Sequence, residues 1–519
     1  MNKLTIPIIA IILIGLTLFL ALKPTPTEKC GDEKCGPKEE ANPALCPEDC
    51  PQPTDNCGNG TCDESESHET CREDCPVSVD SDNSLDADGV LWGTETVYYL
   101  DGEPNDMPEK IDAINNHLKT KQVKMRLFVH NVYDYSTGEF KPIVCGPSQA
   151  QCKDSHSLDD FVQVFKENGW SMHPMLSPDT MKGVLSDADM DIYVDFVEWF
   201  VDRYKDEANI KYIELVNNPE QPSGRGWENT PEELVKTTNK IYDRIKAKYP
   251  DIMIGTPGFE YLRDYGVEYE KVEAYLDKSN NAKFDYWAFH GYVLQDVAPL
   301  PRVTVTTYPP TKTPENTDYA GITGILEIRK KLNENGWQDR EIIDTEHTFG
   351  ESAPTIQELV LKRTLKDEND KFVLSGIIPL KIVARTQGTG RESDLGSLNP
   401  DGSISEVVKS VAFLWSKLNE YKHDSHVSGT WDAEDEVWIE KFKTGNKELY
   451  IFFKPFEYNE GKGLKLDGKT LTYKLNLNRN PSSVVLIDIE GNETSLTPSQ
   501  TITLEAENSP QYLEVEYNE

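Results

Sequence analysis

Hydrophobic and polar positions along this chain fall into three regimes. The first is a single unbroken apolar run: after Lys3, residues 4–22 carry no charge until Lys23. Between residues 23 and 89 apolar positions almost vanish. From Val90 onward short apolar runs alternate with longer amphipathic stretches, the pattern of strand followed by helix. It predicts strands at 90–99, 123–130, 170–176, 210–216, 251–255, 284–292, 341–344 and 372–383. Between them it predicts helices at 107–121, 158–168, 190–205, 231–248, 269–276, 321–335, 355–365 and 403–421. Thr230 followed by Glu233 is a capping box for the fourth helix, and Ser403 or a neighbour caps the last. A cysteine-bearing loop is expected between the second strand and its helix, and a Pro-rich loop at about 294–317.

Eight strand–helix units in succession predict an α/β fold, a (β/α)8 TIM barrel spanning 89–422. The rival, a doubly wound open sheet, usually needs fewer units and often carries a Gly-rich phosphate loop. No Gly-x-Gly-x-x-Gly follows a strand here. From about Val427 the period changes to two. Stretches such as Glu448-Leu-Tyr-Ile-Phe-Phe453 and Ser483-Val-Val-Leu-Ile-Asp488, split by Gly, Asn and Pro turns, predict an antiparallel β-sandwich over 427–519.

Charge and cysteines define the setting. The chain has 519 residues and a formal net charge of -37, and no Lys/Arg cluster offers the basic face that phosphate neutralisation needs. Nucleic acid is therefore excluded as a partner, and docking on an anionic membrane surface is disfavoured. The 4–22 run is about long enough to span a bilayer, and reads as a signal peptide or an uncleaved signal-anchor within a 1–23 leader. No small-x-small cleavage site precedes Lys23, which favours an anchor with the body at the cell surface or outside the cell. Eight of the ten cysteines form two similar units, Cys30-x4-Cys35-x10-Cys46-x3-Cys50 and Cys57-x4-Cys62-x8-Cys71-x3-Cys75, each ending Cys-x-Glu-Asp-Cys-Pro. Units so poor in apolar residues cannot bury a core, and covalent staples are the favoured reading of 24–76. Zinc is the alternative, although the usual Cys-x2-Cys pairs are missing. A calcium role for Asn59, Asp63, Glu64 and Glu66 does not follow EF-hand spacing, so no metal site and no cofactor are assigned. Cys145 and Cys152 are expected to staple the loop they share. Residues 77–88 are an acidic linker. Asn59-Gly-Thr61 and Asn492-Glu-Thr494 match the N-glycosylation pattern.

Barrel enzymes place their chemistry at the C-terminal ends of the strands. The second strand carries Arg126 and ends at His130. The fourth ends Asn217-Asn218-Pro219-Glu220, the sixth His290-Gly-Tyr292, the seventh Thr345-Glu346-His347. Carboxylates facing each other across a cleft are the equipment of glycoside hydrolysis.

This ordered set resembles the clan A retaining glycoside hydrolases, nearest to their xylosidase/iduronidase-like and cellulase-like members, over residues 88–519. Their fourth strand reads Tyr-x-Glu-x-Trp-Asn-Glu-Pro, against Tyr212-Ile-Glu214-Leu-Val216-Asn217-Asn218-Pro219 here. Thr345-Glu346 and His290-Gly-Tyr292 match their seventh and sixth strand ends. The resemblance implies an exported hydrolase of a polysaccharide or glycoconjugate. It makes Glu346 the nucleophile, held by Tyr292 and supported electrostatically by Arg126. Asn217 would contact the sugar 2-hydroxyl, and His290 would line the sugar subsite. Three positions depart, the first being Val216 where the motif has tryptophan. Asn218 stands where the acid/base glutamate belongs, and an amide cannot give and recover a proton. Leu380-Lys-Ile-Val-Ala-Arg385 stands where a strand-eight tryptophan is expected. Strand alternation puts residues 214, 216 and 218 on one side, with Glu214 deeper and structural. Glu220 is the candidate replacement acid. The alternatives are a degenerate barrel that binds carbohydrate without turnover, and a surface structural protein. Of the aromatics, Trp227 and Tyr308 fall in loops and are the expected sugar platforms, whereas Trp170 and Trp287 are expected in the core.

Overall fold

The barrel closes on eight parallel strands. The computed structural model describes residues 84–96, 107–144, 156–179, 182–219, 227–260, 270–291, 321–346, 352–367, 369–378, 381–382, 399, 403–429, 436–455, 457–459, 463–465 and 469–518. All belong to the second of the two units into which the chain divides, Val79–Glu519. The apolar segment 4–22, the ten cysteines, Glu220, Tyr292, His347 and Tyr308 lie outside the described residues, so the readings placed on them stay as expectations.

The strands are β1 (Leu91–Thr96), β2 (Gln122–Phe128), β3 (Ser171–Ser177), β4 (Tyr212–Asn217), β5 (Met253–Glu260), β6 (Tyr286–His290), β7 (Glu341–Glu346) and β8, in two short pieces, Gly376–Ile377 and Lys381–Ile382. Each pairs with its neighbour in sequence, and β8 pairs with β1 at Leu91↔Gly376 and Glu95↔Lys381, so no edge is left. The intervening helices are α1 (Met107–Asp112, continuing as a π-helical stretch Ala113–Leu118), α2 (Leu158–Glu167), α3 (Asp187–Tyr204), α4 (Pro231–Lys248), α5 (Glu270–Leu276), α6 (Gly321–Glu334), α7 (Ser352–Thr364) and α8 (Glu406–Glu420). The capping box read in the sequence is present: Thr230 N–H donates to Glu233, and Glu233 N–H to Thr230 Oγ1.

Several boundaries move for identifiable reasons. The fifth strand runs on past Gly255 through Thr256-Pro-Gly to Glu260, because its barrel neighbours supply the pairing that Pro and Gly discourage locally. The single helix expected over 107–121 changes to π geometry halfway and stops at Lys119, whose φ is 53°. The second strand stops at Phe128, and His130 sits in a one-turn helix, Val129–Val132. The loop after it carries two small hairpins, Tyr133–Asp134 with Glu139–Phe140 and Ile143–Val144 with His156–Ser157. The last helix begins at Glu406, with Ser405 before it rather than Ser403.

The C-terminal strands are β9 (Lys422–Ser428), β10 (Trp438–Thr444), β11 (Lys447–Phe453), β12 (Leu471–Asn476), β13 (Ser483–Ile487), β14 (Glu493–Ser495), β15 (Thr501–Ala506) and β16 (Gln511–Glu516). One six-stranded antiparallel sheet runs β9-β10-β11-β16-β13-β14, and β12 pairs with β15. β9 falls partly before the expected start of this region because its polar residues, Lys422-His-Asp-Ser-His426, show no apolar alternation. One face of the sheet supplies Phe442, Leu449, Ile451, Phe453 and Tyr512 to the core shared with the barrel helices. The other encloses a separate core with Leu475, Ile502 and Leu504. The two regions are also bonded directly. Gln357 on α7 donates to the carbonyls of Lys454 and Asn508, and Lys417 on α8 pairs with Glu514 at 2.6 Å.

A buried arginine locks this assembly. Arg363, on α7, binds Asp86 through Nε and Asp88 through Nη2 at 2.6 Å, and Asp88 also accepts from the backbone N–H of His423 on β9. Asp86 in turn accepts from Val90 N–H and Trp92 Nε1 at the start of β1. Removing one partner of such a buried network strands the others without compensation. Arg363→Ala is therefore expected to lower the unfolding free energy by about 3–5 kcal/mol, measured by urea titration of the full-length protein.

Candidate functional site

The barrel interior is unusually charged, and the charges are paired in a continuous chain. At its centre Lys124 on β2 contacts both carboxylate oxygens of Glu214 on β4 at 3.0 Å, and also the carbonyl of Thr345. Lys124 and Glu214 are wholly shielded from solvent. Glu214 Oε1 meets His290 Nε2 at 3.1 Å. The other ring nitrogen, Nδ1, reaches Asn218 Oδ1 and, at 3.3 Å, Glu346 Oε2. Glu346 is bound by Arg126 Nη2, and Arg126 spends Nε and Nη2 on the two oxygens of Glu95 from β1. Burial raises the pKa of the Glu214 carboxyl, but Lys124 and then His290 more than offset it and hold it well below the ordinary carboxylate range.

Backbone irregularities at the strand ends produce this convergence. The β4–β5 register shifts on both sides of Leu215, and the β6–β7 register skips between Phe289 and His290 so that His290 stands opposite Glu346. Bulges of this kind re-aim side chains at barrel rims. At the end of β4 and just beyond it two non-glycine residues take left-handed backbone, Val216 at φ 50° and Asn218 at φ 43°. For a β-branched residue that is strained, and it recurs where surrounding packing imposes it. Val216 joins the main hydrophobic core with Leu215, so strict alternation over 214, 216 and 218 does not hold. Glu214 and Asn218 still meet at the same imidazole, one from each side. Asn217 lies beside them, 9% exposed, its N–H on Ser177 Oγ at 2.7 Å and its buried Oδ1 without a hydrogen-bond partner among the described residues.

Gly258, on β5, makes room for the arrangement. A Cβ there would collide with Glu214 Oε1 and His290 Nε2. Below this level His173 bonds Tyr286 Oη at 2.8 Å. At the mouth, beyond β2 and β3, the Asp179 carboxylate lies 3.2 Å from His130 and accepts from Tyr135 Oη at 2.7 Å. The upper ends of β6 and β7 are tied to α7 by the buried Lys362, which binds Asp344 at 2.6 Å and the Gly291 carbonyl.

The residues named from the sequence thus divide. Arg126, Asn218, His290 and Glu346 come together, with Asn217 adjacent. His290 is fully enclosed and bridges carboxylates, so it supports the site from beneath instead of lining an open subsite. Trp227 is 1% exposed, with Nε1 on the Thr230 carbonyl, which is a packing role and not the open platform expected of a loop tryptophan. Trp170 and Trp287 are buried, as expected of core residues. Three contributors were not singled out: Glu95, Lys124 and Gly258. The first two did leave a signal. A charged residue inside a strand covered on both faces must have a buried partner, and Lys124 shares the parity of Arg126.

No protein-family model matches the chain, and neither does any curated protein sequence. Solved structures do match. A family 39 glycoside hydrolase from Bacteroides cellulosilyticus WH2 aligns over 82% of this chain and 80% of its own, at TM-score 0.59 and 14% identity. A monomeric beta-xylosidase from Caulobacter crescentus CB15 aligns over 86% and 97%, at TM-score 0.54 and 12% identity. A glucosidase from Croceicoccus marinus aligns over 86% and 98%, at TM-score 0.51 and 12% identity. The fold is therefore that of the clan A (β/α)8 glycoside hydrolases, as the strand-end motifs implied. At these identities the likeness establishes the fold and not the activity.

Two measurements probe the site's architecture. Burial, above all, pushes the His173 imidazole down to about 3. The unfolded chain takes up this proton near pH 6.5, the folded chain only near pH 3, so the stability is full above pH 6.5 and is lost progressively as pH falls. Between pH 7 and pH 5 the wild type should lose about 2 kcal/mol more than His173→Gln, read from urea titrations at both values. Gly258→Ala should cost about 1–3 kcal/mol from overpacking against Glu214 and His290, measured the same way.

Proposed function

We propose that the protein is a glycoside hydrolase acting on a carbohydrate substrate, with Glu346 as its nucleophile. The observation that carries this reading is the setting of Glu346. It ends β7 at the C-terminal rim of a barrel, is bound by Arg126, and shares His290 with the end of β4. A carboxylate 4% exposed and bound by a guanidinium is held in one place, from which it can be aimed at an anomeric carbon. Asn217 then supplies an amide for the 2-hydroxyl, a contact that strengthens in the transition state. Glu220, two residues beyond Asn218 and outside the described residues, is the alternative source of an acid/base, and Glu220→Gln tests it below. The fold shared with several glycosidases raises the prior for this chemistry without assigning a sugar.

A second reading is favoured by one observation. Asn218 occupies the acid/base place and is engaged by His290, which suits a barrel that binds carbohydrate without turning it over. Export, with retention at the cell surface through residues 4–22, is the accompanying proposal on location, supported by that apolar run and the clustered cysteines. Among the described residues no helix is long and apolar enough to cross a membrane, and 4–22 lie outside them.

The test is turnover of dinitrophenyl glycosides of several sugars, both anomers, by the full-length protein and by Glu346→Gln. Wild-type turnover that drops by on the order of 10⁴-fold or more in Glu346→Gln establishes the nucleophile. Binding of oligosaccharides with no turnover of any activated glycoside would support the second reading instead.

A further inference from the structure

Resting on the glycosidase reading, we propose that this site acts on sugars whose anomeric oxygen belongs to an acidic group, and not on sugar-to-sugar linkages. The shared chemistry is a leaving group that departs as a stable anion, as from a glycosyl phosphate, a glycosyl ester or an electron-poor aryl glycoside.

What the site can cleave depends on where a transferable proton sits. Ordinary glycosidic oxygens leave as alkoxides unless protonated in the transition state, so the site must hold an acid within hydrogen-bond reach of that oxygen. The position at which the resemblance of the fourth-strand motif would place it holds Asn218, whose amide hydrogens do not transfer at neutral pH. Among the described residues the neighbouring groups do not replace it. His290 has one ring nitrogen on Glu214 and the other shared between Asn218 and Glu346, and its ring is fully enclosed. Glu214 is clamped through both oxygens by Lys124 and held well below the ordinary carboxylate range after burial is offset. Glu95 spends both oxygens on Arg126. The groups that meet at Glu346 among the described residues therefore form a charge-balanced cradle for a carboxylate and include no free acid.

Such a cradle completes half of a double displacement unaided. The Glu346 carboxylate adds to the anomeric carbon as the bond from that carbon to the leaving oxygen breaks. The electron pair departs with the oxygen as an anion, and no proton is consumed. In the second half, water attacks the same carbon, the bond to Glu346 breaks, and the water proton passes to solvent. With no positioned base this half is slow, whereas an anionic acceptor such as azide needs no deprotonation at all.

The experiment takes the full-length protein and, for the sugar it turns over fastest as the dinitrophenyl glycoside, compares that compound with the phenyl glycoside, the 1-phosphate and the disaccharide. The expected result is turnover of the dinitrophenyl compound and the 1-phosphate, with rates roughly 10²–10⁴-fold lower for phenyl and disaccharide. Added azide should accelerate the dinitrophenyl reaction and yield the glycosyl azide of retained configuration. Asn218→Glu should raise phenyl and disaccharide turnover by roughly 10²–10⁴-fold. Rates that are flat across leaving groups, with ready disaccharide cleavage by the wild type, would overturn the proposal while leaving Glu346 as nucleophile. In that event Glu220→Gln, slowing phenyl but not dinitrophenyl turnover, would place the acid at Glu220. Failure of every dinitrophenyl glycoside, together with no covalent labelling of Glu346 by 2-fluoroglycosyl dinitrophenyl probes, would sink the glycosidase reading itself.

Discussion

The structure depends on pairing charges in the middle of a barrel where water does not reach. Lys124 and Glu214 sit where most barrels place branched aliphatic side chains. Each would be prohibitively costly alone, and together they remain weak contributors to stability, because desolvation consumes much of their attraction. Their value is geometric. Lys124 holds both oxygens of Glu214 and the carbonyl of Thr345, so it fixes the end of β4 relative to the end of β7. His290 completes the link from Glu214 to Asn218 and Glu346, and Arg126 joins Glu346 to Glu95. Displacing one member leaves a charge without a partner, so the whole set moves together or not at all.

That constraint explains the backbone above it. Five strands, β1, β2, β4, β6 and β7, deliver groups to one small volume, and regular strands with strict alternation cannot all do so. The bulges between β4 and β5 and between β6 and β7, and the left-handed turns at Val216 and Asn218, reconcile strand geometry with the meeting point at His290. Gly258 is the complementary concession on β5, giving up its side chain to the same meeting point. Outside the barrel, Arg363 performs a similar linking task among β1, α7 and β9, and the C-terminal sheet packs one face against the barrel helices. The site is thus held from beneath by ion pairs and from outside by a continuous hydrophobic core.

Position 218 gives the site its chemical interest. The Asn218 amide meets His290 but carries no proton that it can transfer at neutral pH. The surrounding charges remain arranged to support one carboxylate, Glu346. Under the proposed reading Glu346 is a nucleophile in a prepared setting with no acid at position 218, which differs from a site whose whole charge network is gone.

The amino-acid sequence by itself determined the barrel, because eight alternations of apolar strand and amphipathic helix can bury their faces in few other ways. It also determined the antiparallel character of the C-terminal region, through its period of two, and it marked Asn218, His290 and Glu346 by their places at strand ends and Arg126 as a charge within the second strand. Only tertiary structure decided how those residues meet. Bulges and left-handed residues depend on pairing with neighbouring strands, so Val216 leaving the alternation had no local signal. Whether Trp227 stacks on a ligand or packs in the core depends on what the fold lays against it, and the same is true of His290 as support or lining. The extension of β5 through Thr256-Pro-Gly258 arose the same way: local propensity opposed it, and closure of the barrel overrode it.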